Sequence, residues 1–479
     1  MEAKTANYDR GRWMILLITV VATFMATLDG SIVNVALPYM AEALHVDTGH
    51  ITWVVSVYLI VITVSILIFG RLGDIKGQSR IFRYGLLIFT LGSFLCGVTH
   101  TLPLLLAARA VQAVGAAATM ANSHGIITRT FPPEERGRAL GINGTFVALG
   151  SMVGPALGGL IISFAGWEYL FWVNVPIGLI AYIANLKFSG KAEIKSGEKL
   201  DWRGGGLFTL TIAPLFIALE YGQTIGYLNP VILLLFVVAV IAAIAFFMVE
   251  RKIKIPLLDL KIFENRWFSI SIFCAFTSFV SISCSNIILP FYLQNVLGMS
   301  PGRAGLYMTI YPLLLSLVAP VSGYLSDKFG SETLTLIGLT LTSLGLYLMA
   351  TLNETPAYWA MVLYICLMSL GNGLFQSPNN SLVMSMVPRE KLGIGGSVNA
   401  LVRNIGFTVG IALSTAILYG AMSSRLGYRV TDYVAGRSDV FIFGMRLVYI
   451  MAASVCLVGA LITAFRLYNR RRESDTQLG

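Results

Sequence analysis

Fourteen long apolar runs constrain this chain more than any other feature of it. They lie at about 13–37, 50–70, 81–99, 102–124, 138–163, 167–187, 203–221, 229–249, 267–297, 301–326, 333–351, 357–386, 395–420 and 441–466. A stretch of about 20 apolar residues is long enough to cross the hydrocarbon core of a bilayer as a helix. No water is present there, so every backbone N–H and C=O must be satisfied within the segment, and runs of this length meet that demand as helices. The ninth and twelfth runs are long enough to tilt or to extend past the bilayer. The segments between runs are mostly short, and no soluble domain fits among them. Composition agrees: 56% of residues are hydrophobic and 12% charged, with a mean hydropathy of +0.76. A soluble surface needs roughly 25% charged residues. Soluble enzymes, nucleic-acid binders and disordered scaffolds are therefore excluded. The expected fold class is all-α, a polytopic membrane protein with 14 transmembrane helices.

The net charge of +10 is explained by its placement. With both termini on the cytoplasmic side, Arg303, Arg425, Arg429 and Arg437 fall outside and Arg109, Arg403 and Arg446 within spans. The other Lys and Arg lie in cytoplasmic segments, as the positive-inside rule requires, where they face anionic lipid headgroups. Nucleic-acid binding is not needed. Lys4, Arg10 and Arg12 precede a run too long for a signal-peptide core, so it is read as a retained first span. The five cysteines sit in apolar runs and the four histidines do not cluster, so neither metal nor cofactor is expected. A G-x-x-x-x-G-K-[ST] phosphate loop is absent. With no nucleophile–base pair either, the chain reads as a non-enzyme.

The sequence also repeats itself. Residues 114–157 align without gaps to 370–413, so that Gly115, Pro132, Glu134, Gly137, Asn143, Gly150 and Gly154 recur as Gly371, Pro388, Glu390, Gly393, Asn399, Gly406 and Gly410. Asn34-Val-Ala-Leu-Pro38 recurs as Asn286-Ile-Ile-Leu-Pro290, and Gly70-x-Leu-x-Asp74-x-x-Gly77 as Gly323-x-Leu-x-Asp327-x-x-Gly330. The repeated unit holds six spans, and the offset skips two more. The expected organisation is 6 + 2 + 6: a six-helix bundle over 1–190, two inserted helices with flanking loops over 191–260, and a second bundle over 261–479. Repeated helical halves are characteristic of secondary transporters, with substrate held near midplane between them.

Two acidic residues lie well inside apolar spans, Asp29 and Glu220. Asp29 is about 24 Å along its helix from Trp13 at ~1.5 Å per residue. A charge at a helix centre costs roughly 2.5–3.5 kcal/mol on insertion scales, so such residues face a bundle interior and are commonly functional. Burial disfavours the charged form unless a cation offsets it, and a carboxyl poised in this way can exchange a proton for a substrate. Its repeat counterpart is Ser281, so one half alone carries the acid. Glu220, on an inserted helix, reads as an interfacial residue. Glu168 and Asp201, at span edges, read as structural.

Several motifs resemble those of the fourteen-helix drug–proton antiporters (EmrB/QacA type) of the major facilitator superfamily. Leu28-Asp29-Gly-Ser-Ile-Val-Asn34-Val-Ala-Leu-Pro38 is similar to the family's first-helix signature, and Gly70-Arg-Leu-Gly-Asp74-Ile-Lys-Gly77 to the superfamily loop motif. Arg109-Ala-Val-Gln112-Ala-Val-Gly115 resembles the fourth-helix motif, and Gly150-x-x-x-Gly154-Pro155-x-x-Gly158-Gly159 the fifth-helix antiporter motif. Asn174-Val-Pro-Ile-Gly178 and Leu200-Asp-Trp-Arg-Gly204 are also family-like. Gln78 departs from the pattern, standing where basic residues are common.

The resemblance implies the major facilitator fold and gives roles to residues. Arg109, alone in its half because its counterpart is Ile365, is expected near the first helix, where it would tune proton binding at Asp29. Asp74 is expected to latch one side closed, with Arg138 and the start of the 395–420 helix as partners. Gly150, Gly154, Pro155, Gly158 and Gly159 are expected to form a tightly packed, kinked helix, since small residues at this spacing let helices approach closely. Candidate substrate contacts are Asn34, Asn286, Tyr292, Gln294, Tyr307, Tyr311, Phe375, Gln376, Asn379, Asn399 and Arg403. Aromatic rings suit flat cations, whereas Arg403 in the cavity would disfavour them.

The function expected is proton-coupled efflux of lipophilic cationic or neutral drugs across the cytoplasmic membrane by alternating access. The membrane potential adds ~2.3 kcal/mol per charge per 100 mV. Partners are drugs, protons and membrane lipids, and the working unit is a monomer. The alternatives are the same fold exporting one narrow substrate (a tetracycline-like antibiotic, lipid, peptide or metabolite) and a sensor or structural protein that transports nothing.

Overall fold

The computed structural model describes residues 2–46, 51–188, 200–253, 256–299, 301–430 and 433–478. The expected domain boundary at 190/191 lies outside the described residues. The described chain is helical, with no strand in it. The long helices are α1 (Glu2–Ala43), α2 (Trp53–Lys76), α3 (Gln78–Val98), α4 (Leu102–Thr130), α5 (Pro133–Ala165), α6 (Asn174–Phe188), α7 (Trp202–Ile225), α8 (Pro230–Glu250), α9 (Arg266–Phe291), α10 (Pro301–Phe329), α11 (Ser331–Met349), α12 (Tyr358–Ser385), α13 (Leu392–Leu426) and α14 (Ser438–Leu478). Thirteen helices among the described residues are long and apolar enough to cross a membrane. The run expected at 138–163 coincides with α5, which is not one of the thirteen; several of its side chains, Pro155 included, lie outside the described ones.

Helix ends follow local chemistry. Phe131 is extended before the Pro132-Pro133 pair, because a residue preceding proline is pushed out of the α region. Pro133 then starts α5 at N1, where its missing N–H costs nothing, and Glu134 and Glu135 fill the positive first turn. Gly77 and Gly330, the last residues of the two loop motifs, both have positive φ, +93° and +86°. Each allows a one-residue break between successive helices where a side chain would be strained. The expected sixth run starts with a single helical turn, Tyr169–Trp172, before α6. The ninth run leaves α-geometry after Pro290 and ends in a wider π-type turn, Tyr292–Val296.

The chain divides into two compact units. The first comprises Met1–Ala213, Val238–Ile262 and Val387–Leu401, and the second Pro214–Val237, Phe263–Met386 and Val402–Gly479. In the first unit, one apolar cluster gathers Ile32, Ala36, Val54, Cys96, Leu105 and Phe171, and another Ile18, Ala22, Phe82, Leu86 and Ala181. The second unit has a larger core around Tyr292, Ile365, Phe375, Phe441, Met445 and Tyr449. The repeat is visible inside each unit. Gly150 and Gly154 of α5 pack on α1 at Thr27 and Ser31, and Gly406 and Gly410 of α13 pack on α9 at Phe279 and Ser283.

Candidate functional site

Asp29 and Arg109 are fully buried and form an ion pair: Arg109 Nη1 donates to Asp29 Oδ2 at 2.5 Å. The other carboxylate oxygen is also engaged. Oδ1 accepts from Gln112 Nε2 at 2.7 Å and from Asn174 Nδ2 at 3.0 Å. Three donors from α4 and α6 thus converge on one group of α1, the surroundings of an ionised carboxylate. Gln112 reaches this position because it lies one turn beyond Arg109 on the same face of α4. It is held there by accepting from Arg109 Nη1 at 2.6 Å and donating to Ser93 Oγ at 2.8 Å.

Arg109 has partners besides Asp29. Its Nε donates to the Val54 carbonyl at 3.0 Å, and its guanidinium carbon lies 4.0 Å from the centroid of the Tyr58 ring. Phe171 offers a second ring at 5.6 Å. A cation over an aromatic face is favoured most where water is excluded. Tyr58 is positioned in turn by a hydroxyl bond to the Ala26 carbonyl at 3.3 Å. Arg109 Nη2 and Asn174 Oδ1 are buried and have no hydrogen-bond partner among the described residues. Gln112, Asn174, Tyr58 and Ser93 are the members of the site that sequence reasoning did not single out. Gln112 and Asn174 lie inside motifs noted above, but no periodicity links positions 83 and 145 residues distant from Asp29.

The opposite face of the same stretch of α1 meets the glycine-rich helix. Ser31 Oγ donates to the Gly150 carbonyl at 2.9 Å. β-Carbons at Gly150, Gly154 and Gly158 would strike Thr27, Ser31 and Ile32, respectively. Gly159 meets nothing within 4 Å, so it takes no part in this seam.

Asp74 caps the N-terminus of α13. Its Oδ1 accepts from the Gly393 N–H at 2.7 Å and its Oδ2 from the Ile394 N–H at 2.9 Å. Gln78, at the position where the family often carries a base, donates to Oδ1 at 3.1 Å. The close approach of α2 and α13 needs glycine on both, since a β-carbon at Gly70 or at Gly393 would meet the opposing backbone carbonyl. The Arg138 guanidinium lies 5.4 Å from the Trp13 ring, and Arg71 is a cation acting on Asp74. Two further contacts tie down the approach to α13. Arg129 donates to the Arg389 carbonyl at 2.7 Å, and Lys391 pairs with Asp259. Burial pushes the Asp259 carboxyl up, but the hydrogen bond and charge of Lys391 outweigh it and hold the group below the usual range. The tether is therefore fully formed at neutral pH and is lost only as pH falls below the ordinary carboxylate range. Asp74→Asn places an amide N–H against a backbone N–H and removes the charge. Loss of such a cap costs about 1 kcal/mol, a factor of at least about five in local opening. Amide exchange at Gly393 and Ile394 is expected to accelerate accordingly, and unchanged protection there would show that Asp74 does not hold this end.

The other expected residues divide sharply. Tyr292 is fully buried with its hydroxyl donating to the Asn353 carbonyl at 2.6 Å, and Phe375 is buried in the second core. Asn379 is committed to the Ser271 carbonyl at 3.2 Å. All three are buried within the second unit. They face inward because their helix faces do, which composition does not reveal. Tyr311 accepts from Asn372 Nδ2 at 2.6 Å, and Tyr307 stands 6.3 Å from the Tyr358 ring. Asn286 and Gln294 are exposed, Gln376 and Arg403 half-buried, and Asn399 buried in the first unit. The side chain of Asn34 lies outside the described ones. Among the described residues Arg403 has no acidic partner.

Comparison with known proteins follows the same lines. The chain is 34% identical over 456 residues to the riboflavin transporter RibZ of Clostridioides difficile (strain 630), covering 95% of this chain and 97% of that protein. It is 30% identical over 419 residues to the multidrug resistance protein Stp of Mycobacterium tuberculosis (strain ATCC 25618 / H37Rv), covering 87% and 78%. The fold superposes on the proton:xylose symporter XylE bound to 6-bromo-6-deoxy-D-glucose with a TM-score of 0.64, at 13% identity over 95% of each chain. The sequence profile of the Major Facilitator Superfamily matches residues 19–258 and 271–479. With a repeated helical unit, membrane-length helices and relatives aligned nearly end to end, this chain is a multi-pass membrane transporter belonging to the major facilitator superfamily.

Proposed function

We propose that the protein exports amphipathic small molecules in exchange for protons, with Asp29 as the proton-binding group. The observation that carries this reading is the buried ion pair in which Arg109 holds Asp29 but also has other partners. A proton arriving at Asp29 removes the charge that binds it to Arg109. Arg109 keeps the Val54 carbonyl, Gln112 Oε1 and the Tyr58 ring, so it stays charged and solvated by protein. Protonation then loosens α1 from α4 without leaving a naked cation. An element with two such states is what a proton needs to bias in order to drive alternating access. Asp74 and the glycine seam act as the gating contacts in this scheme. The protein works as a monomer in the cytoplasmic membrane with both termini inside.

Arg403 points to the substrate class. A guanidinium in a membrane-spanning helix with no acidic partner repels cations and accommodates neutral or acidic molecules. The substrates favoured are therefore flat neutral or weakly acidic compounds over cations. The end-to-end similarity to a riboflavin transporter supports a second, narrower reading: one flavin-like substrate in place of many drugs.

The test is transport into proteoliposomes under an imposed pH gradient, with riboflavin, neutral drugs and lipophilic cations. Unmodified protein is expected to drive neutral compounds uphill. Asp29→Asn is expected to fall to the level of protein-free vesicles, while still exchanging substrate down its gradient. Uphill transport by Asp29→Asn would remove Asp29 from coupling. Movement of riboflavin alone would establish the narrow reading.

A further inference from the structure

The two helices between the repeats bring together a pair of carboxyls that the Asp29 site does not use. Asp201 immediately precedes α7, and Glu250, the last residue of α8, is 3% exposed. Both belong to the first unit. One oxygen of each is satisfied by backbone. Glu250 Oε2 accepts from the Leu258 N–H at 3.1 Å, and Asp201 Oδ1 from the Arg203 N–H at 3.0 Å. The remaining oxygens, Glu250 Oε1 and Asp201 Oδ2, are buried and have no donor among the described residues.

Those two oxygens face one another. The side chains are within hydrogen-bonding reach, and a β-carbon at Gly204 would strike both Glu250 Oε1 and Asp201 Oδ2. Glycine at 204 is what leaves room for the approach. Among the described residues no cation lies between them. Arg203 on α7 and Arg251 and Lys252 beyond α8 are exposed, Asp259 is committed to Lys391, and from α2 it is the apolar Ile68 that packs at Gly205. Two acceptor oxygens cannot bond each other, and two ionised carboxylates this close repel. A single proton converts the repulsion into an O–H···O⁻ bond, one of the stronger hydrogen bonds available to a protein.

We propose that Asp201 and Glu250 share one proton and constitute a second protonation site, separate from Asp29. The proton closes the loop after α8 onto the start of α7. That loop leads directly into Asp259, whose partner Lys391 stands two residues before Gly393, the residue Asp74 caps. The shared proton therefore anchors the chain segment on which the cap of α13 depends.

Infrared spectroscopy of the full chain in nanodiscs at neutral pH tests this through the C=O stretch of protonated carboxyls. Difference spectra against Asp201→Asn, Glu250→Gln and the double variant cancel every other carboxyl. Each single variant is expected to lose one protonated-carboxyl band, and the double variant to lose no more than either single. A double loss would mean two independent protons, and no loss would mean two ionised groups; either overturns the proposal. A band that appears in the unmodified protein only after chelation would assign the site to a metal ion instead. Should Glu250→Gln not fold, Asp201→Asn decides alone: its amide satisfies Glu250 as a carboxylate, so a persisting band would show that Glu250 holds its own proton.

Discussion

Arg109→Leu is expected to destabilise the protein by about 3–5 kcal/mol, the cost of removing one partner from a buried ion pair. The cause is the stranded partner more than the lost attraction. Asp29 has no exposure to water, and without Arg109 its Oδ2 has no donor among the described residues. The two amides on Oδ1 cannot neutralise it. Adding Asp29→Asn is expected to recover most of the loss, because the substituted side-chain amide keeps an acceptor for Gln112 and Asn174 and carries no charge. The double variant is thus expected to be more stable than Arg109→Leu alone, in the sense that replacing a whole buried pair is far less costly than breaking it. Thermal unfolding of the three variants in one detergent measures this cycle. An Arg109→Leu protein as stable as the unmodified one, or a double variant no better than the single, would mean that the charge of Asp29 is not what Arg109 balances.

Gly154→Val carries the second large effect. A β-carbon there meets Ser31 and the backbone nitrogen of Ile32, and backbone cannot rotate out of the way. Overpacking of a close-fitted interior costs about 1–3 kcal/mol, and two branched methyls extend the clash. Helix α1 must shift, and Asp29 lies on α1 two residues before Ser31. The variant is therefore expected to lose stability and the pH dependence of transport together. Gly159→Val is the matched control. It changes the same motif, but its β-carbon meets nothing within 4 Å, and its effect is expected to stay within about 0.5 kcal/mol. Equal loss at both positions would show that the motif acts through helix propensity and not through the seam. The repeat extends the argument to the second unit, where Gly410 faces Ser283 as Gly154 faces Ser31.

Much of this was legible in the order of residues. Apolar runs of membrane length must be helical because lipid offers the backbone no other partner, so the helices stand close to where the runs do. The repeat needs only an alignment, and its glycines carry the same kind of neighbour in both units. Charged side chains in apolar spans are conspicuous by their insertion cost alone, which is why Asp29 and Arg109 could be named before any fold was known. Short-range chemistry was equally readable, as at the Pro132-Pro133 start of α5 and the positive-φ Gly77 and Gly330.

What the sequence by itself determined was therefore the kind of element, its rough extent and the residues too costly to be idle. The tertiary structure alone decided which faces meet. It placed Tyr292 and Phe375 in the second core, tied Asn379 to the Ser271 carbonyl, brought Arg138 over the Trp13 ring, and left Gly159 out of the seam that Gly150, Gly154 and Gly158 form. It also brought Gln112 and Asn174 onto Asp29, and Glu250 onto Asp201 from the far end of the next helix. The physical reason is the same in each case. Hydrophobicity is non-directional and sets only how much of a helix is buried, whereas a hydrogen bond or a missing β-carbon acts between two particular faces. The rotation of one helix against another is settled by packing across many residues of chain, and no local pattern records it.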